Sequence, residues 1–353
     1  MSKGIIEVYQ KQVNRKRAFI FLSLFVMLFL IALGISIGVS DTSFRELIDL
    51  LNGRGDYNSK HIFLNLRLPR VLSAIVVGFG LSMSGSAMQS ILRNPLGSPF
   101  TLGISSAAAF GAAFAVIFLG AMDQKTELII PSNYLIASSA FFWSLISTAL
   151  ILLIAKFKDA SPETMILTGI IGGSFFTAAT TSLQYFAEDT QLANIVFWTF
   201  GDLGKASWRD FLILLIISIP ACFYFIKIRW NIRSLNSGDE VAKSLGVNVN
   251  KTRIQVMLVA SLLTATAVSI FGIIAFIGLV VPHLVRRFVG NNEQFLIPAT
   301  AIFGGIFLLI SDLIARMIIS PMILPVGVIT SFIGAPLFIF LLVKGKVKRS
   351  WQN

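Results

Sequence analysis

Long apolar runs follow one another along the chain, separated by short polar segments. A helix needs about 20 predominantly apolar residues to cross the hydrocarbon core of a bilayer. Ten runs approach or exceed that length, at residues 17–38, 67–90, 99–121, 133–155, 163–187, 210–228, 252–271, 273–289, 295–314 and 323–343. The pattern therefore predicts an all-α, polytopic membrane protein with about ten transmembrane helices, forming a single transmembrane domain over residues 1–353.

The composition agrees with a lipid environment. Hydrophobic residues make up 55% of the chain and charged residues 13%, whereas a soluble domain carries about 25% charged residues. This balance excludes a disordered chain, a nucleic-acid-binding domain and an ordinary cytosolic enzyme. A single cysteine, Cys222, excludes a disulfide framework, and two histidines leave little for a metal or haem site. We predict neither cofactor nor metal.

The basic residues indicate the orientation. With the N-terminus inside, 20 of the 29 Lys and Arg residues fall in inner segments and 9 in outer ones. A random scatter would give near parity, so the positive-inside rule places both termini in the cytoplasm, with the helices in the plasma membrane.

Two polar segments have helical patterns of their own. In residues 41–52, Ser43 and Glu46 have capping-box spacing beside an apolar face, which predicts a short amphipathic helix on the outer surface. In residues 236–247, Ser237 and Glu240 repeat that spacing and Gly246 suits a helix stop. Such a two-turn helix is too short to be stable alone. It packs either against its own membrane domain or against a cytosolic partner.

Motifs for chemistry are scarce. Residues 201–207 lack the spacing of a nucleotide-binding loop, and no Ser/His/Asp set or carboxylate pair stands out. Acids in the middle of spans, which ion-coupled carriers use, are almost absent. An ion-coupled secondary transporter and an integral-membrane enzyme are disfavoured but stay open, and coupling energy is expected to come from elsewhere.

The second span carries small residues at helical spacing. Gly78, Ser82 and Ser86 recur every four residues, which lets helix backbones approach closely. Gln89 adds a polar group near the inner end. Two prolines and a glycine in residues 93–99 then end the helix.

The fifth span opens with Ser161 as a predicted N-cap and Pro162 at the first helical position. A small and polar stripe follows on one face: Gly169, Gly173, Thr177, Thr180 and Gln184. The stripe forms either a tight helix contact or the wall of an aqueous path.

Several motifs together resemble one family. Glu240-Val-Ala242, followed after three residues by Gly246, is similar to the EAA-x₃-G signature of ABC importer permeases, with Val in place of the second Ala. The segments that resemble the FecCD-type family, which imports ferric siderophores, haem and cobalamin, are 67–70, 85–89, 93–96, 102–106, 272–283, 312–316, 324–327 and 334–338. They cover nearly the whole chain in the expected order.

The resemblance implies a type II ABC importer permease fold with ten helices per subunit. It also implies partners: a second permease, identical or paralogous, two ATPase subunits below, and a substrate-binding lipoprotein or periplasmic protein above. The chain itself would be no enzyme, because ATP hydrolysis belongs to the ATPases. The transported ligand would be a ferric siderophore, with cobalamin or haem as the alternative.

The family's functional positions are carried over onto this sequence by motif. Docking of the binding protein falls on Arg67 and Arg316. Coupling to the ATPase falls on Ser237, Glu240, Val241, Ala242, Leu245 and Gly246. The cytoplasmic gate falls on Asn94, Leu96, Ser161 and Pro162. Gln89 and the fifth-span stripe from Gly173 to Gln184 are the candidates for the translocation path.

Overall fold

The computed structural model describes residues 2–37, 56–121, 131–158 and 160–343. Within these ranges the chain forms helices and no strands. The helices are α1 Ser2–Ser36, α2 Tyr57–Leu92, α3 Ile104–Phe118, α4 Ser132–Lys156, α5 Pro162–Phe186, α6 Asp189–Thr199, α7 Trp208–Lys227, α8 Arg229–Asn236, α9 Asp239–Ser244, α10 Val249–Phe271, α11 Ile277–Val289, α12 Glu293–Met317 and α13 Val326–Val343. Helix α2 includes a π-helical stretch at Ile62–Arg67. The amphipathic segment predicted at 41–52 lies outside the described residues.

Each predicted span contains a helix, but the helices differ in length. Seven described helices are long and apolar enough to cross a membrane. The helices in the third and eighth spans, α3 and α11, have only 15 and 13 residues. The count of ten crossings and the cytoplasmic termini therefore stay predictions, while the all-helical membrane architecture is confirmed.

The short polar segments also hold helices. Helix α6 connects α5 to α7, and α8 and α9 lie between α7 and α10. Ala242 of α9 and Leu235 of α8 are fully buried in the same apolar cluster as Met88 and Ile91 of α2 and Val256 of α10. The segment between α7 and α10 is therefore packed onto the membrane domain along one face.

Helix α2 crosses its neighbours through small residues. A Cβ atom added to Gly78 would overlap the backbone of Gly304 in α12, and one added to Gly85 would overlap Gly278 in α11. The Ser82 hydroxyl donates to the carbonyl of Thr300 at 2.9 Å. The close helix approach predicted from this spacing is confirmed.

Candidate functional site

Helix α9 is a short cytoplasm-side helix, by the predicted topology, with a well-formed stop. Gly246 has φ of 78°, a conformation that favours glycine. Its N–H donates to the Lys243 carbonyl at 2.9 Å, and the Val247 N–H donates to the Ala242 carbonyl at 2.9 Å. This pair of bonds is a Schellman motif, so the helix stop predicted at Gly246 is confirmed.

The exposed side of α9 presents two aliphatic side chains among the polar Glu240, Lys243 and Ser244. Val241 is 45% exposed and Leu245 is 65% exposed, whereas Ala242 is fully buried. Val241 and Leu245 are one turn apart and lie together on the exposed side. A short helix that buries one face and presents two aliphatic side chains on the other has the features of a docking element.

The predicted capping box at the start of α9 is wrong. Gly238 is the N-cap, and no side chain caps the helix. Ser237 instead lies at the end of α8, where its hydroxyl donates to the Arg233 carbonyl at 3.5 Å. Glu240 accepts a bond from Lys243 on the exposed surface. The box cannot form because Gly238, with φ of 120°, separates the serine from the helix.

The break after α2 is an ordered turn. Arg93 ends the helix with φ of 47°. The Asn94 side-chain oxygen accepts from the Leu96 N–H at 2.8 Å, and the Gly97 N–H donates to the Asn94 carbonyl at 3.0 Å. This Asx turn satisfies the backbone freed by Pro95 and leaves Leu96 exposed.

The start of α5 forms as predicted. The Ser161 hydroxyl accepts from the Thr164 N–H at 3.2 Å, and the buried Pro162 is the first helical residue. Ala160, just before the cap, has φ of 51°. A sharp backbone bend therefore precedes the second predicted gate segment.

The stripe of α5 divides between the two roles that its sequence left open. A Cβ atom added to Gly169 or Gly173 would meet the backbone of Leu102 or Gly103, so this end of the stripe is a helix contact. Thr177 is exposed in a groove of about 640 Å³ that Gly173, Ser106 and Thr181 also line. Thr180 is buried with its hydroxyl on the Phe176 carbonyl, and Gln184 is half-buried.

A second groove of about 630 Å³ lies beside the first, and Phe100 lines both. Thr199 at the end of α6 and Ser331 of α13 line it. The sequence pattern did not single out these two hydroxyls.

Gln89 lies inside the helix bundle, away from both grooves. It is fully buried, donates to the Leu279 carbonyl at 3.2 Å and accepts a bond from Arg286. The adjacent Ser90 donates to Glu293 at 2.7 Å. These contacts connect α2, α11 and α12, and sequence reasoning missed both Arg286 and Glu293.

At the other end of α2, two arginines hold the end of α1. Arg67 donates to the carbonyls of Ile35 and Ser36, both at 2.9 Å. Arg316 donates to the carbonyls of Gly34 and Ile37 at 3.0 and 2.9 Å. Both arginines are buried. The carbonyls at a helix C-terminus lack partners in their own helix and carry partial negative charge, so two cations satisfy and stabilise this end.

Asp312 organises this cluster. Its Oδ1 accepts from Arg70 at 2.9 and 2.7 Å, and its Oδ2 lies 2.9 Å from Arg316, four residues later on α12. Asp312 thus pairs with Arg316 one turn later on the same helix, and Arg70 joins the pair. In the described part of the chain, no group of three or more His, Cys, Asp and Glu side chains could hold a metal ion.

The described helices, seven of them long and apolar enough to cross a membrane, define a polytopic membrane protein. The chain belongs to the FecCD transport family, whose model matches residues 25–344. It is thus an ABC importer permease, the subunit that spans the membrane.

Similar proteins support this membership. The chain is 45% identical to the ABC transporter permease-like protein MJ0087 of Methanocaldococcus jannaschii, over 95% of this chain and 97% of that protein. It is 35% identical to the hemin transport system permease protein HmuU of Yersinia pestis, over 93% and 96% of the two chains. It is 33% identical to the vitamin B12 import system permease protein BtuC of Vibrio vulnificus, over 94% and 95%.

A solved structure matches the fold. It is described as an inward-facing conformation of a metal-chelate type ABC transporter. The TM-score is 0.81 with 30% identity, and the match covers 93% of this chain and 99% of that one. The all-helical permease fold is therefore shared across nearly the whole chain.

Proposed function

We propose that this permease carries a ferric siderophore across the plasma membrane, with energy from ATP hydrolysed by two separate ATPase subunits. The observation that carries the ATP-driven mechanism is α9, whose exposed Val241 and Leu245 need an apolar partner. A siderophore complex, like haem and cobalamin, is a metal chelate, which agrees with the description of the matching structure. Haem and cobalamin are the alternative ligands, supported by the names of two relatives.

Buried acids in the described spans have cationic or hydrogen-bonding partners, which favours ATP over an ion gradient. Asp312 is held between Arg70 and Arg316, and Glu293 accepts from Ser90. A carboxylate that carries a coupling ion has to exchange partners during transport. The two arginines around Asp312 oppose such an exchange.

We expect ATP alone to drive uptake in proteoliposomes. The assay contains the permease, its ATPase and its binding protein, loaded in turn with a ferric siderophore, haem or cobalamin. Accumulation of the siderophore complex with ATP and without an ion gradient supports the proposal. Uptake of only haem or only cobalamin would change the ligand in the proposal and leave the ATP-driven mechanism in place. Uptake that requires a proton or sodium gradient and no ATP would support a secondary transporter.

The inner gate in our proposal consists of Asn94 and Leu96 after α2 and Ser161 and Pro162 before α5. Arg93 and Ala160, which immediately precede these two segments, both have positive φ, and irregular backbone inside a bilayer has to face protein or water. The exposed Leu96 side chain would line the gate.

The gate prediction can be tested by cysteine labelling. In Leu96→Cys on a Cys222→Ser background, we expect a polar thiol reagent to react at different rates in the nucleotide-free and ATP-trapped complexes. The reason is that closure of a gate removes its side chains from water. Phe157→Cys, an exposed position after α4, is the matched control and should react equally in both states. Equal rates at position 96 would show that this turn is static.

Docking of the binding protein at Arg67 and Arg316 is part of the proposal. The family resemblance supports it. Both arginines are buried and bond to the end of α1. In the proposal they therefore fix the conformation of the docking surface rather than offer a fully exposed charge to the partner. A second permease subunit would complete the path, with the hydroxyl-lined groove at Thr177 on its wall.

A further inference from the structure

One arginine connects the segments that the proposed mechanism requires to move together. Arg253 lies in the second turn of α10 and is fully buried. Its Nε donates to the Ile91 carbonyl at 3.1 Å, and its other two nitrogens donate to the Ala160 carbonyl and the Asp239 carboxylate, both at 2.8 Å. Three donors thus reach three separate segments of the chain.

Each acceptor adjoins a segment that has a proposed role. Ile91 lies in the last turn of α2, three residues before Asn94. Ala160 immediately precedes Ser161, the N-cap of α5. Asp239 is the first residue of α9. The guanidinium therefore joins the ATPase-facing helix to both parts of the gate.

The chemistry of this junction suits arginine. A guanidinium is planar, always charged and presents donors in a fixed fork, so its three acceptors cannot shift independently. Arg93, the residue that ends α2, lies 3.6 Å from the same Asp239 oxygen. One carboxylate on α9 thus contacts two arginines, Arg93 at the end of α2 and Arg253 in α10.

A purely structural role would need only the two carbonyl bonds. A buried guanidinium that caps Ile91 and Ala160 stabilises the bundle whatever α9 does. Asp239, by contrast, is on a short helix, and its side chain is 29% exposed. The bond from Arg253 to Asp239 is the part that makes α9 and the gate one mechanical unit.

We propose that Arg253 is a positioning residue that transmits displacement of α9, through Asp239, to the turns at Ile91–Leu96 and Ala160–Pro162. This inference rests on the proposed coupling of α9 to the ATPase. Movement of α9 by a bound ATPase would then be carried to both gate segments at once, without a chain of intermediate contacts.

The test uses the complex of permease and ATPase in lipid nanodiscs, with Leu96→Cys and Cys222→Ser as background. The variants are Arg253→Lys, which keeps a charge but loses the fork, and Asp239→Ala. We expect ATPase binding and hydrolysis to persist, while the nucleotide-dependent change in labelling falls by about three- to thirty-fold. The double variant should be no worse than the stronger single variant, because both remove the same link.

Lys251→Gln is the matched control, since Lys251 is exposed and one half-turn from Arg253 on α10. It should label as the background does. If no ATPase binds, the proposed coupling of α9 fails and this inference with it. If the ATPase binds but the background shows no nucleotide response, the turn at Leu96 is static and the inference is overturned without the proposed function. If the background responds and Asp239→Ala responds equally, only the inference is overturned. Should Arg253→Lys misfold, Asp239→Ala decides, because its carboxylate is partly exposed.

Discussion

Gly246→Pro should separate ATP hydrolysis from transport. Gly246 has φ of 78°, and its N–H donates to the Lys243 carbonyl. Proline is fixed near φ −65° and has no N–H. Proline therefore loses one bond of the Schellman motif and cannot take up the native backbone. A penalty of about 1–3 kcal/mol on the docked form of α9 corresponds to about a 5- to 150-fold loss of coupling. The measurement is substrate uptake per ATP hydrolysed in proteoliposomes.

Gly246→Asn is the matched variant for this experiment. Asparagine tolerates the left-handed conformation and keeps the N–H. No atom lies within 4 Å of a Cβ atom at this position, so the side chain has room. We expect Asn to retain most of the coupling that Pro removes. A Gly246→Pro protein that inserts normally, binds its ATPase and transports at the wild-type rate would show that α9 does not couple the two subunits.

The exposed pair Val241 and Leu245 on α9 explains why loss of the helix stop at Gly246 should reduce coupling. Val241 and Leu245 share a face only while the two turns between Asp239 and Gly246 stay helical. A helix of this length has little stability of its own. The helical conformation of α9 therefore depends on the packing of Ala242 against the membrane domain and on the stop at Gly246.

Local signals in the sequence predicted much of the inner site. The cap at Ser161, the break at Asn94 and the stop at Gly246 each depend on residues within one or two turns. The close crossing at Gly78 was also predictable, because small residues at a spacing of four allow helix contact. These features depend on residues close together in the chain, so a single sequence is sufficient to predict them.

The buried ionic contacts required the fold. Arg253 bonds to carbonyls that precede it by 162 and 93 residues, and Arg286 bonds to Gln89 across 197 residues. Counting these arginines among the charges of the inner segments supported the predicted orientation but gave no sign that they are buried. A charge inside an apolar run, such as Arg253 in the span 252–271, is the signal that could have indicated a partner.

Helix α6 was missed for a different reason. It spans Asp189–Thr199, only 11 residues, and a search for membrane-length runs passes over a helix of that size. Its local signal is a capping box between Glu188 and Gln191. That signal was present in the sequence and would have indicated the helix that ends at Thr199.

Arg316→Gln should destabilise the permease before it affects docking. The change removes two bonds to the end of α1 and leaves Asp312 with Arg70 as its cationic partner. Breaking a buried ion pair costs about 3–5 kcal/mol, so we expect a clear fall in the thermal midpoint of the detergent-solubilised protein. Lys60→Gln is the control, because Lys60 is exposed on α2 and should leave the midpoint unchanged.

Arg67 is the position where docking itself can be tested. Arg67 donates to the carbonyls of Ile35 and Ser36, so Arg67→Glu would place a carboxylate beside these oxygens, whereas Arg316→Glu would place one beside Asp312 in a buried site. We expect Arg67→Glu to lower the thermal midpoint and, in the protein that folds and inserts, to lower the affinity for the binding protein. If the charge contacts the partner directly, an acid-to-arginine change on the binding protein restores affinity, because misfolding cannot be rescued from another chain. Loss of affinity with no rescue means that Arg67 acts by fixing the end of α1, and unchanged affinity in a folded protein removes it from the docking surface.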